Sequence, residues 1–330
     1  KILELSQSIQ DAGLQHGSLL TLFSTREKPI DAAPSTIQRR KQRKDSFDPF
    51  PDLAKDWDAA LLKAKTHRST AGGMSYSTIS ALQTAMHNVE PQSTAKLTRV
   101  HMCATAAARF QASGIVSDKK TKQNYIQARA AILLGTVVRK RKVKKKPRTS
   151  LSTPEADPYC QAVKVHAIWE PTTTKSSTND YDSDVLISSI GDDSASWRRV
   201  ARLLGLEPVG WIFSYDGTKD PTRNEEGTLP VFARDVQTGG LLQIEQMKQK
   251  NDFSGFVTLA MNAESGATEA FQLSDVAVQM VAEDLIVSDD GGGRFAASRH
   301  PVLVDGKETK KLDSVLCLVN TAMLSHTGMY

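Results

Sequence analysis

The chain has 330 residues, 39% hydrophobic and 24% charged, enough for two compact domains or one large domain with extensions. No apolar run approaches the ~18 residues that cross a bilayer, which excludes a transmembrane span, and the composition argues against wholesale disorder. Lys and Arg number 42 against 37 Asp and Glu, a net charge of +5 that taken alone points to nucleic acid.

The excess sits in two short runs. One holds Arg139, Lys140, Arg141, Lys142, Lys144, Lys145, Lys146 and Arg148; without it the balance is 34 basic to 37 acidic residues. Without Arg39, Arg40, Lys41, Arg43 and Lys44 as well, it is 29 to 37. The body of the protein is therefore mildly acidic. No aromatic is interleaved with either run, which argues against base stacking and a nucleic-acid partner. Cys103, Cys160 and Cys317 are three and far apart, so a disulfide framework is not expected and a reducing compartment is favoured. With no Cys-x-x-Cys, zinc ribbons and fingers are excluded.

In chain order, residues 1–24 read as the tail of a domain already under way: Ile2, Leu3, Leu5 and Ile9, a turn at 13–17, then Leu19, Leu20, Leu22 and Phe23 as a strand. Residues 25–96 read as linker with short helices. Pro51 opens a predicted helix over 52–65 carrying Leu53, Trp57, Ala60, Leu61 and Ala64, and a second runs over 77–86. Both are too short to stand alone in water, so each needs a neighbour or a partner, and Trp57 is a candidate partner contact.

From about Leu97 the pattern becomes that of a packed domain. A helix over 103–112 precedes strands over 130–138 and 162–169; the basic run lies between those strands. It therefore reads first as a solvated hairpin insertion, and second as a nuclear import signal. A polar stretch over 172–184 leads to a helix over 195–204 and a strand over 208–214. Gly239-Gly240 is expected to open a helix to about Lys250. Strands over 256–261 and 268–271, a helix over 274–286 and a last strand over 315–319 complete the series. The mixture predicts an α+β domain over 97–273 with a mixed β-sheet flanked by helices, and a C-terminal extension over 274–330.

The strand Val209-Gly210-Trp211-Ile212-Phe213-Ser214-Tyr215 resembles the active-site strand of the MPN fold of zinc-dependent deubiquitinases. There Val-Gly-Trp is followed, after one residue, by His-Ser-His, whose histidines bind zinc; an acidic third ligand follows, and a glutamate on an earlier strand is the general base. Here Phe213 and Tyr215 hold the histidine positions, and the general-base position falls near Ala128, with no acid over 128–138. Glu226 stands at about the spacing of the third ligand, but one carboxylate is not a metal site. The resemblance thus implies an inactive domain with no metal or cofactor, in which the aromatics fill a vacated hole or form part of a binding surface.

Three further segments, 165–171, 205–213 and 269–274, resemble in this order the nuclear protein localization protein 4 family, and Gly13-Leu14-Gln15-His16-Gly17-Ser18-Leu19-Leu20 resembles the end of that family's ubiquitin-like β-grasp domain. Lacking Cys pairs, the chain looks like the plant and algal type without zinc fingers. The resemblance implies a non-enzymatic cofactor of the AAA unfoldase valosin-containing protein. It would act with ubiquitin fusion degradation protein 1 to deliver polyubiquitinated clients in ER-associated and other ubiquitin-dependent degradation, in cytoplasm and nucleus and at the cytosolic face of the ER. Trp169, Glu170 and Pro171, which end a strand, are candidate partner contacts, with simple strand termination as the competing reading. The alternatives are a scaffold subunit of another MPN assembly (proteasome lid or translation initiation complex) and, disfavoured by Phe213 and Tyr215, an active isopeptidase.

Overall fold

A computed structural model describes residues 47–66, 76–117, 124–139, 161–171, 181–223, 229–249, 255–287 and 293–327. The chain divides between Lys44 and Asp45, and every described residue belongs to the second unit. The segment 1–24, expected to be a ubiquitin-like tail, the cluster at 39–44, Glu226 and the basic run beyond Arg139 lie outside the described residues.

The elements are α1 (Trp57–Thr66), α2 (Tyr76–Thr84), β1 (Leu97–Cys103), α3 (Ala104–Ser113), β2 (Ile115–Ser117), β3 (Asn124–Ile126), β4 (Arg129–Arg139) and β5 (Gln161–Trp169). There follow α4 (Ser183–Gly191), α5 (Ser196–Leu203), β6 (Glu207–Tyr215), α6 (Ala233–Gln249), β7 (Val257–Asn262), β8 (Thr268–Leu273) and α7 (Asp275–Ala282). The last are β9 (Ile286–Val287), β10 (Phe295–Val304), β11 (Lys307–Asp313), β12 (Leu318–Asn320) and β13 (Ala322–His326). The fold is α+β: an eight-stranded mixed sheet in the order β12-β8-β7-β6-β4-β5-β1-β13, with helices packed on it and a separate three-stranded sheet β11-β10-β9.

Strand β6 is the spine of the large sheet. It pairs antiparallel with β4 (Ile132 opposite Trp211) and parallel with β7 (Trp211 opposite Thr258). Every residue from Pro208 to Tyr215 is buried, so both faces of the strand are covered, which explains its nearly continuous apolar sequence. The Trp211 indole N–H donates to Thr258 Oγ1 at 2.9 Å. The segment after residue 273 supplies both edges of this sheet, β12 antiparallel to β8 and β13 parallel to β1.

Helix α6 begins at Ala233, not at Gly239-Gly240. Those glycines sit mid-helix because the helix approaches its neighbours too closely for a side chain. A Cβ at 239 would stand 2.9 Å from Trp211 Nε1, and one at 240 would stand 2.8 Å from Val281 Cγ2 on α7. Alanine is the better helix former by ~1 kcal/mol, but Val281 is β-branched and has little room to turn. We expect Gly240→Ala to destabilise the fold by a net ~1–2 kcal/mol in urea denaturation; a stabilised variant would show that the two helices separate freely.

Other sequence expectations need correction. Residues 51–53 form a 3-10 turn separated from α1, because Asp56, whose Oδ1 accepts from the Ala59 N–H, starts the helix anew. The polar stretch ends in α4, capped by Asp182, whose carboxylate accepts from Asp184 N–H and Val185 N–H. The expected strand over 315–319 is a 3-10 turn over Ser314–Cys317 followed by β12. The expected helix over 274–286 stops at Ala282.

The two N-terminal helices dock on their own chain. Trp57 stacks on His300 of β10 with centroids 5.5 Å apart, and Phe50 N–H and Lys55 N–H donate to Gln279 and Glu283 on and just after α7. Glu283 also meets the His87 ring at 2.8 Å, with both side chains buried. Burial alone would raise the Glu283 carboxyl, but His87, Gln279 and the Lys55 N–H outweigh it and hold the group below its ordinary 4.5. A depressed carboxyl contributes stability above the unfolded-state value and loses it as pH falls through the folded one. The stability difference between the native chain and Glu283→Gln is therefore expected to be largest above about pH 5 and to shrink in acid, read by urea denaturation across that range. A difference independent of pH would contradict the assignment.

Candidate functional site

The three positions singled out by the MPN resemblance lie together. Ala128, just before β4, and Phe213 and Tyr215 on β6 line one cavity of about 240 Å³, with Tyr181 and Arg223. The register explains the meeting: Ala130 stands opposite Phe213, and the Arg129 N–H donates to Ser214 Oγ at 3.1 Å. Phe213 is 1% exposed and Tyr215 9%.

Between the aromatic rings lies a guanidinium. Arg223 sits 4.0 Å from the Phe232 centroid, 5.5 Å from that of Phe213 and 5.7 Å from that of Tyr215. It donates to Asp235 Oδ2 at 2.7 Å, to the Pro230 carbonyl at 2.6 Å and to Asp220 Oδ2 at 3.1 Å. Asp235, 1% exposed, also accepts from the Tyr181 hydroxyl at 2.6 Å and from the Phe232 N–H at 2.8 Å. Burial would lower the Arg223 guanidinium, but Asp235 more than offsets it and holds the group above its ordinary value. Burial, then the Asp235 charge, pushes the Tyr181 hydroxyl well above its ordinary range, so it stays a donor. Burial likewise raises Tyr215.

Chemically this is a cation–carboxylate–phenol network set among aromatic rings, with the Arg223 guanidinium at its centre. Among the described residues, no group of three or more His, Cys, Asp or Glu could hold a metal ion. Nothing in the local sequence pairs Arg223, in a loop of charges and turn residues, with Asp235 in the first turn of α6; only the fold does. Sequence reasoning missed both, and Tyr181 with them.

The remaining candidates lie elsewhere. Trp169 stacks on Trp197 of α5, centroids 4.6 Å apart and planes 20° apart. Glu170 forms a bidentate pair with Arg129, Nε to Oε1 at 2.5 Å and Nη2 to Oε2, which ties the end of β5 to the start of β4. Pro171 is buried. These contacts favour an internal role for the three. Glu170 and Arg129 form one end of a larger cavity of about 650 Å³ that also meets Cys103, Phe110, His166 and Ile168. In that cavity the His166 Nε2 lies 3.4 Å from Thr136 Oγ1, and its Nδ1 is buried without a hydrogen-bond partner.

Compared with known proteins, the chain matches no family model and no curated protein.

Proposed function

We propose that this chain is a non-enzymatic adaptor with an inactive MPN-type domain, of the nuclear protein localization protein 4 kind. In this reading it recruits ubiquitin-bearing clients to an AAA unfoldase of the valosin-containing protein type, together with ubiquitin fusion degradation protein 1, in cytoplasm and nucleus and at the ER surface. The observation that carries the reading is the filled site. Phe213 and Tyr215 occupy the positions where an active member carries zinc-binding histidines, and Arg223 lies between their rings. A metalloprotease needs three ligands, an open position for water and a base; in this reading the two histidine positions hold aromatic rings, the base position holds the methyl of Ala128, and the Arg223 guanidinium stands 5.5 Å and 5.7 Å from the two ring centroids. The mixed sheet around β6 is compatible with the resemblance of the Val209-Gly210-Trp211 strand, and the ordered motifs at 165–171, 205–213 and 269–274 supply the rest of the support.

The test is a pull-down of the full-length protein on immobilised K48-linked and K63-linked ubiquitin chains, and separately on the ATPase hexamer. The reading expects retention on both. Loss of both ends it, and retention on proteasome-lid or initiation-factor subunits instead would favour the scaffold alternative.

A further inference from the structure

Strand β13 is the outermost strand of the large sheet and runs parallel to β1, with His326 opposite Cys103. Ala322, Leu324 and Ser325 are exposed, so little apolar burial holds the strand. Besides its ladder to β1, Met323 packs against the core and the His326 ring reaches back to β5. An edge strand of this kind is an element that a small local change can release.

The contact made by His326 fixes its tautomer. Its Nε2 lies 2.9 Å from the Val165 carbonyl oxygen, and a carbonyl only accepts. Nε2 therefore carries the proton, and in the neutral ring Nδ1 is bare. That Nδ1 is buried and has no hydrogen-bond partner. His166 on β5 meets the same ring edge-on, centroids 5.5 Å apart and planes at 70°, and its own Nδ1 is also buried and unpartnered. Whichever tautomer the neutral His166 adopts, its imidazolium must carry an N–H there. A bare ring nitrogen without a donor loses little, whereas a charged N–H with neither acceptor nor water is costly. The docked arrangement thus favours two neutral rings.

The surrounding charges act in the same sense. Lys164 on β5 acts on His166 and His101, and Arg99 on β1 acts on His101, which also feels His326. The cavity beside His166 adds Arg109 on α3, the thiol of Cys103, and Arg129, which already engages the Glu170 carboxylate. Burial first, then Lys164 and His326, lowers His166 from its ordinary 6.5.

We propose that His166 and His326 form an acid-sensitive latch, which keeps β13 on the sheet at neutral pH and releases it as the rings take up protons. Release gives both Nδ1 atoms water and separates the two rings. The docked state binds fewer protons than the released one, so docking is strongest above the ordinary histidine value and weakens as pH falls through it. Release also leaves β1 as the sheet edge, with unpaired backbone N–H and C=O groups. The inference does not depend on the adaptor reading, since it requires neither ubiquitin nor an ATPase.

The test is hydrogen–deuterium exchange of the full chain at about pH 7.5 and about pH 5.5, one unit either side of the ordinary histidine value, with rates corrected for intrinsic exchange. Protection of the amides over 322–326 is expected to fall about tenfold between the two, while β6 stays protected. His326→Gln keeps a donor for the Val165 carbonyl and cannot titrate; His166→Phe keeps a ring against His326 with no nitrogen to protonate. Each is expected to shrink the change to about threefold. Should a variant fail to dock the strand, a long-range proton–nitrogen correlation spectrum of the native chain at neutral pH still decides, and is expected to place the His326 proton on Nε2. Native protection that does not change with pH, a loss shared equally by β6, an undiminished loss in either docked variant, or a His326 proton on Nδ1 would each overturn the proposal.

Discussion

Replacing Asp235 with alanine is expected to cost about 3–5 kcal/mol of folding stability, among the largest single effects in this chain. The carboxylate is 1% exposed and answers three donors at once, Arg223 Nη1, the Tyr181 hydroxyl and the Phe232 N–H. Removing it leaves a guanidinium whose side chain is 13% exposed facing aromatic rings, with only Asp220 and the Pro230 carbonyl to hold it. The penalty comes mainly from the stranded charge, so deleting both partners should cost less than the sum of the single losses. Arg223→Met beside Asp235→Ala in a double-mutant cycle should show a coupling of ~1–3 kcal/mol, read by urea denaturation. An Asp235→Ala loss below about 1 kcal/mol would mean that the pair behaves like a surface ion pair.

Placing histidines where the proposed MPN reading would need zinc ligands, Phe213→His with Tyr215→His, is expected to destabilise the domain and not to assemble a zinc centre. Phe213 packs 5.2 Å from the Trp211 centroid and 6.1 Å from that of Tyr181. Exchanging its ring for imidazole forfeits apolar contact and buries new polar atoms, about 3 kcal/mol in urea denaturation. Zinc would then have to enter beside the Arg223 guanidinium, and Asp235 and Asp220, engaged with that guanidinium, are not free to serve as ligands. The prediction is sub-stoichiometric zinc in the double variant, measured by metal analysis after dialysis. Adding Arg223→Ala removes the guanidinium and frees Asp235 and Asp220, and any gain in zinc should appear only then. Tight stoichiometric zinc in the double variant alone would show that the guanidinium is no barrier.

Much of the fold was legible where one signal dominated. The apolar runs over 130–138 and 162–169 and the strand at Val209-Gly210-Trp211 read correctly because these strands lie in the middle of the large sheet, where propensity and packing agree. The failures have separate causes. Helix α4 was hidden because three serines and a leading Asp dilute its apolar pair Leu186 and Ile190. The β10–β11 hairpin carries a strong signal that was overlooked: Asp305-Gly306, both with positive φ (49° and 73°), forms the two-residue turn for which Asp-Gly is the favoured sequence. Strand β13 is mostly exposed, so it has no apolar alternation to detect.

The site divides in the same way. Phe213, Tyr215 and Ala128 were singled out by the spacing of the motif they resemble, and they line one cavity. Arg223, Asp235 and Tyr181 were missed because their partnership spans 54 residues between Tyr181 and Asp235 and leaves no local pattern.

The most direct test of the adaptor account is a reconstituted unfolding reaction. It contains the full-length chain, ubiquitin fusion degradation protein 1, the ATPase hexamer and ATP, with a fluorescent client carrying a K48-linked ubiquitin chain. The account predicts ATP-dependent loss of client fluorescence that requires this chain, with the ubiquitin chain still attached to the client afterwards. Ubiquitin released from the client by this chain alone, without the ATPase or ATP, would contradict it, as would unfolding that proceeds equally well when the chain is left out.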